Sequence, residues 1–227
     1  MMEQRPLCGF LNVLKPPGMS SAAVVGLVRR LFGGAKVGHA GTLDPEAAGV
    51  LPLMVGKAAR LFDYMQDKEK AYVAEIAFGA ATDTQDAQGT VLETGENYPD
   101  EETLRNALKS FEGEQLQRPP MFSALKKDGQ CLYQLARKGQ TVDIPERQVT
   151  VHSLALNAMT DNHGALVAVR CSKGFYVRTL CQDIGTAVGC PAHMRFLLRT
   201  LSGVFTLDTA MTIEQLQAAK EAGTLRE

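Results

Sequence analysis

The segment from Gly38 to Pro45 combines residue types that could do chemistry. It reads Gly-His-Ala-Gly-Thr-Leu-Asp-Pro, so two glycines and small neighbours stand just before one carboxylate. Glycine lets a backbone approach another molecule closely, and the following proline restricts the backbone of Asp44. Such a loop could aim a carboxylate at a substrate. Taken alone, Asp44 also fits a turn or helix-cap residue, and His39 a hydrogen-bonded loop histidine. The spacing matches neither GxxxxGK[ST] nor GxGxxG, which argues against a nucleotide cofactor.

Two further segments carry polar and aromatic groups. Residues 172–179 place Lys173, Tyr176 and Arg178 at the predicted junction of a strand and a helix. By themselves, these side chains could line a cleft or cover an edge of the core. Tyr72 begins a predicted strand, where a tyrosine is commonly half-buried packing.

Length and composition fit one large globular domain, or one and a half smaller ones, without a membrane span. The chain has 227 residues, 45% of them apolar, and no apolar run approaches the roughly 18 residues that suggest a transmembrane helix. The first residues lack the apolar stretch of a signal peptide. The five cysteines are scattered, with no CxxC pair and no zinc-ligand spacing. This pattern favours free thiols in a cytoplasmic protein and predicts no metal site.

The charge is unevenly distributed, although the formal net charge is only −1. Residues 81–118 hold nine acidic and three basic side chains, whereas residues 118–147 hold six basic and three acidic ones. Residues 170–199 hold five basic side chains and Asp183 as their one acidic residue. A near-neutral total argues mildly against nucleic acid, but a polyanion responds to where positive charge lies. Ordinary solvated surfaces would show the same pattern.

The elements that must position these groups alternate between strands and helices. Periodicity and turn residues predict an α+β fold, with one mixed sheet flanked by helices. Residues 37–49 are predicted as a loop and residues 117–145 as the least regular stretch. The predicted strands are 9–14, 70–79, 90–94, 149–159 and 165–171, with a short apolar run at 50–55 and a mostly extended stretch at 194–205. The predicted helices are 20–32, 57–65, 99–111, 131–137, 176–188 and 212–222.

In this order and at these spacings, the motifs resemble the TruB family of pseudouridine synthases from about Gly9 to the last predicted helix. The most specific match runs from Lys36 through His-Ala-Gly-Thr-Leu-Asp-Pro to Gly56. The other matches are Lys-Pro-Pro-Gly at 15–18, Lys-Ala-Tyr at 70–72, Thr-Asp-Thr-Gln-Asp at 82–86, Pro-Met-Phe-Ser-Ala-Leu-Lys at 120–126, Cys-Ser-Lys-Gly-Phe-Tyr-Val-Arg at 171–178 and the leucine-rich run after His193.

The resemblance implies an enzyme that isomerises uridine 55 in the T arm of tRNA without a cofactor. It also implies a mostly antiparallel sheet flanked by helices, within one catalytic domain over residues 1–227. Asp44 matches the essential aspartate of the family, and Tyr72 matches a tyrosine that stacks on the target base. Arg178 matches the arginine that pairs with the catalytic aspartate. A carboxylate could attack the sugar covalently, stabilise its positive charge or take a proton from it.

The resemblance also implies residues that bind the substrate. Tyr176 and Leu197 match walls of the uracil pocket, and His39 matches a histidine near the phosphates of flipped nucleotides. Lys15 and Pro16 are expected to shape the pocket floor without a chemical role. Residues 121–147 match an insertion that grips the T arm. Its candidate phosphate contacts, named the basic quartet below, are Lys126, Lys127, Arg137 and Lys138.

Three alternatives compete with this interpretation. One is a module that binds or folds tRNA without catalysis, and another is a guide-RNA-dependent relative of the Cbf5 type, a branch without the long insertion. A third is an α+β hydrolase with a pair of carboxylates. The preferred interpretation predicts no guide RNA, no membrane association and no obligate protein partner. Bacterial relatives continue into a small C-terminal RNA-binding domain of the PUA type, which this sequence is expected to lack.

Overall fold

The computed structural model describes residues 8–66, 68–127 and 129–224. The chain folds into two compact units, Met1–Lys70 with Leu198–Glu227, and Ala71–Leu197. The α+β fold with a mostly antiparallel sheet flanked by helices is confirmed. None of the helices within the described ranges is long and apolar enough to cross a membrane.

The first unit is built around a buried strand, β3, all eight residues of which are buried. β3 pairs antiparallel with β1 and β2, and in parallel with Leu198 and Arg199. A strand enclosed on both faces reads as a continuous apolar run, as residues 50–55 do. The elements of this unit are β1 (Gly9–Lys15), α1 (Ser21–Leu31), β2 (Val37–His39), β3 (Ala48–Val55), a 3-10 helix (Gly56–Leu61), α2 (Phe62–Gln66), β13 (Phe205–Thr206), a second 3-10 helix (Leu207–Thr209) and α6 (Ile213–Glu221).

Local signals set the first helix correctly, but the loop predicted after it was too long. The Ser20 side chain accepts a hydrogen bond from the amide of Ala23, which caps α1 at its predicted start. Residues 37–39 form the strand β2, and residues 48 and 49 already belong to β3. A strand of three residues shows too little periodicity to be recognised from the sequence. Strand β2 is defined by its pairing with β3.

The second unit carries strands in the order β12-β4-β11-β10-β7. The hairpin predicted around residues 161–164 is confirmed by β10 and β11. The elements of the second unit are β4 (Lys70–Phe78), β5 (Ala80–Thr82), β6 (Val91–Thr94), α3 (Glu101–Lys109), β7 (Gly113–Gln117), β8 (Lys126–Lys127), β9 (Gln130–Cys131), α4 (Leu132–Ala136), β10 (Arg147–Thr160), β11 (Gly164–Cys171), α5 (Val177–Val188) and β12 (Ala192–Ser202). Strand β4 begins in the first unit, and strand β12 ends there.

Strand β7 was not predicted from the sequence. It reads Gly-Glu-Gln-Leu-Gln and exposes Leu116, so it lacks the alternation of a half-buried strand. Its pairing with β10 holds it at the end of the strand order. Two prolines follow at residues 119 and 120, and because proline has no amide hydrogen, the ladder stops there.

Candidate active site

Asp44 lies in a loop between β2 and β3, and the backbone of that loop is held tightly. Residues 40–47 are named the aspartate loop here. The hydroxyl of Ser21 donates to the carbonyl of Leu43 and accepts from its amide, both at 2.9 Å. The amide of Ala47 donates to the Asp44 carbonyl at 3.1 Å. Helix α1, which carries Ser21, therefore fixes the residue immediately before the carboxylate.

A buried lysine holds the other side of the aspartate loop. Lys15 is 0% exposed, and its ammonium donates to the carbonyls of Pro16 (2.7 Å), Pro45 (2.8 Å) and Ala47 (2.7 Å). An ammonium has three protons, and these three bonds use all of them. The role expected for Lys15 as part of a pocket floor becomes more specific, because two of its acceptors lie one and three residues after Asp44 in the chain.

A buried arginine on β12 holds the beginning of the loop. Arg199 is 1% exposed. Its guanidinium donates to the carbonyls of Gly41 (3.2 Å), Thr42 (3.4 Å) and Val50 (2.7 Å). Arginine suits this position because its five N–H groups point in fixed directions. Bonds from Arg199, Ser21 and Lys15 therefore reach the backbone on both sides of Asp44.

The two buried cations also set the electrostatics of the loop. Burial is the main reason that the pKa of Lys15 is lowered to about 8; Glu46 and Asp44 oppose the shift, and Arg199 contributes to it. Lys15 and Asp44 therefore attract each other across the backbone of the aspartate loop. Burial also lowers the pKa of His39, and Arg199 adds to the effect. His39 is therefore neutral near pH 7, and its buried Nδ1 has no hydrogen-bond partner among the described residues.

In the second unit, Arg178 joins α5 to the turn at residues 82–86. Its side chain is buried and donates to the carbonyl oxygens of Phe122 (2.8 Å) and Thr84 (3.2 Å). It also forms an ion pair with Asp86 at 3.6 Å. The hydroxyl of Thr84 donates to the Asp86 carboxylate at 2.7 Å, which orients that group. Three of the motifs recognised in the sequence thus meet at one guanidinium.

The other predicted pocket residues of this unit lie on neighbouring elements. Tyr72 is 9% exposed on β4, and Leu197 is 7% exposed on the adjacent strand β12. Tyr176 immediately precedes α5. The side-chain amide of Gln117 accepts from the Tyr176 amide at 2.7 Å and donates to its carbonyl at 3.0 Å. Rigid strands and a helix end therefore position all three.

The predicted insertion, residues 121–147, contains the β8–β9 hairpin and α4. All four members of the basic quartet are exposed. Just before the insertion, Arg118 forms ion pairs with Asp143 and Glu146, both at 3.3 Å, and donates to the Ile144 carbonyl at 2.8 Å. These bonds close the base of the segment. Within it, the Lys127 ammonium donates to the Asp143 carbonyl at 3.0 Å, and the Arg137 guanidinium lies over the Tyr133 ring.

Several of these contacts were not predicted from the sequence. Arg199 interrupts an apolar stretch of β12, and a charge in a buried strand is a signal that could have been noticed. Ser21, Gln117 and Asp86 carry no such signal, because their partners are distant in the chain or are backbone atoms. Within the described ranges, no group of three or more His, Cys, Asp or Glu side chains could hold a metal ion.

Comparisons with known proteins identify the family of this chain. The sequence model described as TruB family pseudouridylate synthase (N terminal domain) matches residues 29–177. The model described as tRNA pseudouridylate synthase B C-terminal domain matches residues 178–227. Together, the two matches cover most of the chain.

Curated relatives are similar over nearly the whole chain. Proteins named tRNA pseudouridine synthase B are 49% identical in Symbiobacterium thermophilum, 48% in Alkaliphilus oremlandii and 44% in Bacillus subtilis. These alignments cover 93%, 92% and 96% of this chain, and 72%, 70% and 73% of the respective relatives.

Among solved structures, a chain of a Cbf5-Nop10-Gar1 complex is 31% identical, with a TM-score of 0.74. A chain of an H/ACA RNP bound to a substrate RNA containing 2'-deoxyuridine is 29% identical, with a TM-score of 0.71. Each match covers 95% of the present chain, but it spans only 56% and 55% of the two solved chains.

Proposed function

Because this chain belongs to the TruB family of pseudouridylate synthases, an enzyme family of isomerases, we propose that it converts uridine 55 in the T arm of tRNA to pseudouridine, with Asp44 as the reacting carboxylate. The observation that carries the proposal is the restrained aspartate loop. Its backbone is bonded to Ser21, Lys15 and Arg199 on both sides of one carboxylate. The curated relatives that match most of the chain are named for the same reaction on tRNA.

The chemistry needs a carboxylate and no redox partner. The bond between N1 of uracil and C1′ of ribose breaks, the base rotates, and a bond forms between C5 and C1′ while a proton leaves C5. Atoms and electrons balance within the nucleotide, so neither an organic cofactor nor a metal is required. Asp44 can attack the sugar, stabilise its positive charge or remove a sugar proton, and each role needs the ionised form.

The restrained backbone of the aspartate loop suits a catalytic carboxylate, because a group that is already oriented lowers the entropic part of the activation barrier. A carboxylate on a mobile loop would have to be ordered at each turnover, and a misplacement of about 1 Å can cost about a hundredfold in rate. Here the loop is ordered by bonds from buried side chains.

The remaining site residues are assigned roles by their match to the family. Tyr72 stacks on the target uracil, and its phenol can exchange the C5 proton. Arg178 matches the family arginine that pairs with the catalytic aspartate, and Tyr176 and Leu197 match the walls of the uracil pocket. His39 binds a phosphate of the flipped nucleotides. Its lowered pKa means that His39 is neutral in the free protein near pH 7, and a neutral imidazole can still donate one hydrogen bond to a phosphate.

The 121–147 segment is proposed to grip the T arm. Its exposed basic quartet suits phosphate contacts, and flipping a uridine out of its stack costs a few kcal/mol that backbone contacts can offset. We also propose a stand-alone enzyme that needs neither a guide RNA nor an obligate protein partner. Identity to the curated tRNA pseudouridine synthase B proteins, 44–49%, exceeds the 31% shared with the Cbf5 complex chain. Its proposed location is the cytoplasm, where thiols such as that of buried Cys181 stay reduced.

The test is a site-resolved pseudouridine assay on an unmodified tRNA transcript, without added metal or cofactor. The parent is expected to convert one T-arm uridine, and Asp44→Asn, which keeps the side-chain shape, is expected to convert none. Glu46→Gln is the matched control, because this exposed carboxylate lies two residues away on the same loop. Tight binding of tRNA by the parent without conversion would refute the proposal and support a binding module. Equal activity of the parent and Asp44→Asn would refute the assignment of the carboxylate.

A further inference from the structure

Gln117 holds the backbone of Tyr176 through two hydrogen bonds that together form a ring. The Gln117 side chain is buried, at 4% exposure. Its Oε1 accepts from the amide of Tyr176 at 2.7 Å, and its Nε2 donates to the carbonyl of the same residue at 3.0 Å. A side-chain amide that pairs with both groups of one residue behaves like a neighbouring strand. It fixes the orientation of the peptide as well as its position.

Tyr176 needs such a partner because of where it lies. It is the N-cap of α5, in an extended conformation, and it provides no side-chain cap. Its carbonyl accepts the first bond of the helix, from the amide of Leu180 at 3.1 Å. The two bonds from Gln117 therefore determine where α5 begins and in which direction the Tyr176 side chain leaves the backbone.

Gln117 is itself held firmly. It is the last residue of β7 and pairs with Arg147, the first residue of β10. The prolines at 119 and 120 are buried and end the ladder immediately afterwards. The side chain that reaches Tyr176 thus starts from a fixed point of the sheet, not from a mobile loop.

A second bond joins the same two regions five residues later. The guanidinium of Arg178 donates to the carbonyl of Phe122 at 2.8 Å. Gln117 lies four residues before the 121–147 segment and Phe122 is its second residue, so the chain that enters the segment is bonded to Tyr176 and to Arg178. A change in backbone position at its start would move both residues.

We infer that Gln117 is a positioning residue, one that aims Tyr176 at the uracil through the Tyr176 backbone and links the tRNA-gripping segment to the base pocket. This inference rests on the proposed function, since it assigns Tyr176 to the uracil site. Gln117 touches no reacting atom. Its loss is expected to slow the bond-forming steps while tRNA affinity stays within about twofold of the parent, because the basic quartet that supplies the phosphate contacts is unchanged.

The experiment compares Gln117→Met, Gln117→Glu and Gln115→Met with the parent. Methionine keeps the length of the side chain and removes both bonds. Gln115 lies on the same strand, and its side chain donates to the Phe111 carbonyl at 2.7 Å, so it tests general damage to β7. Single-turnover rates at saturating enzyme are measured beside tRNA dissociation constants and thermal melting. Gln117→Met is expected to lower the rate about tenfold or more, as expected when a group that orients substrate shifts by a fraction of an ångström.

Gln117→Glu supplies a pH signature that a purely structural role would not give. A protonated carboxyl group accepts through one oxygen and donates through the other, as the amide does, whereas a carboxylate only accepts. The rate of this variant relative to the parent should therefore rise as the pH falls. The ratio for Gln117→Met should stay flat.

Three results would overturn the inference. They are parent-like rates for Gln117→Met with an intact fold, equal losses for Gln115→Met and Gln117→Met, or a loss confined to tRNA affinity. Because the parent is measured in the same assay, failure of the proposed function can be distinguished from failure of the inference about Gln117. A parent that converts no uridine removes the proposed function and this inference with it. A parent that converts uridine beside fully active Gln117 variants removes only the inference.

Discussion

Replacement of Gly49 by alanine should damage both the fold of the first unit and the aspartate loop. Gly49 has a φ of +117°, in the left-handed region that disfavours a side chain. It pairs with Lys15 on one side and with Arg199 on the other, so it lies between two strands. A β-carbon added there would overlap the carbonyl oxygen of Arg199 and lie 2.6 Å from the Arg199 amide nitrogen.

The magnitude follows from two costs that add. A non-glycine residue held in a sparsely populated backbone region costs about 1–3 kcal/mol, and overpacking costs about 1–3 kcal/mol. The neighbouring atoms are backbone in a paired strand and cannot rotate away. We therefore expect the free energy of unfolding to fall by about 3–5 kcal/mol, which corresponds to roughly 10 °C in Tm for a chain of this size.

Activity should fall as well, because the atoms that must move belong to Arg199. Its guanidinium holds the carbonyls of Gly41 and Thr42, so a shift of its backbone loosens the start of the aspartate loop. Thermal melting, urea denaturation and single-turnover rates below the melting range measure both effects. Gly38→Ala is the matched control, since its added carbon meets only a methionine methyl group, at 3.9 Å. A Tm for Gly49→Ala within about 2 °C of the parent, a shift worth less than about 1 kcal/mol, would refute the reasoning.

The pKa of Lys15 is about 8 in the folded protein, below its usual value of 10.5. Between pH 8 and pH 10.5, the unfolded chain therefore holds a proton on Lys15 that the folded protein has lost. The contribution of Lys15 to the free energy of unfolding consequently rises with pH across that window. Urea denaturation at pH 7, 9 and 10 should show the parent gaining stability relative to Lys15→Met, and parallel curves would contradict the assignment. The pKa of His39 is lowered, so the unfolded state takes up its proton first and stability is lost as the pH falls below about 6.5. Tm values between pH 5 and 7 should fall less steeply for His39→Gln, and identical slopes would show that His39 is not the responsible group. Changing the basic quartet to alanine should weaken tRNA binding. It should also reduce the slope of the logarithm of the binding constant against the logarithm of the salt concentration by about three, because each of four phosphate contacts contributes slightly less than one. Lys109→Ala on the acidic helix α3 is the control, and an unchanged salt slope for the quartet variant would place the phosphate contacts elsewhere.

Much of the fold was predictable because its signals are local. The Ser20 cap and the valines of α1 set the first helix, and the alternating apolar residues set the β10–β11 hairpin. Strands β2 and β7 were missed, since each depends on pairing with a distant strand rather than on its own periodicity. Strand β2 has only three residues, and β7 is a polar strand at the end of the strand order of the sheet, so neither shows a local hydrophobic periodicity.

The sequence by itself determined the family and the order of the motifs, and it predicts Asp44 as the reacting carboxylate, because motif types and spacings are properties of the chain alone. Only the tertiary structure decided how that carboxylate is supported. The carbonyls beside Asp44 are bonded to Ser21, Lys15 and Arg199, which come from three elements far apart in the sequence. Backbone carbonyls are the same at every residue, so no sequence pattern shows which of them a buried cation will bind. That choice depends on strand register, which places Lys15 and Arg199 on opposite sides of Gly49.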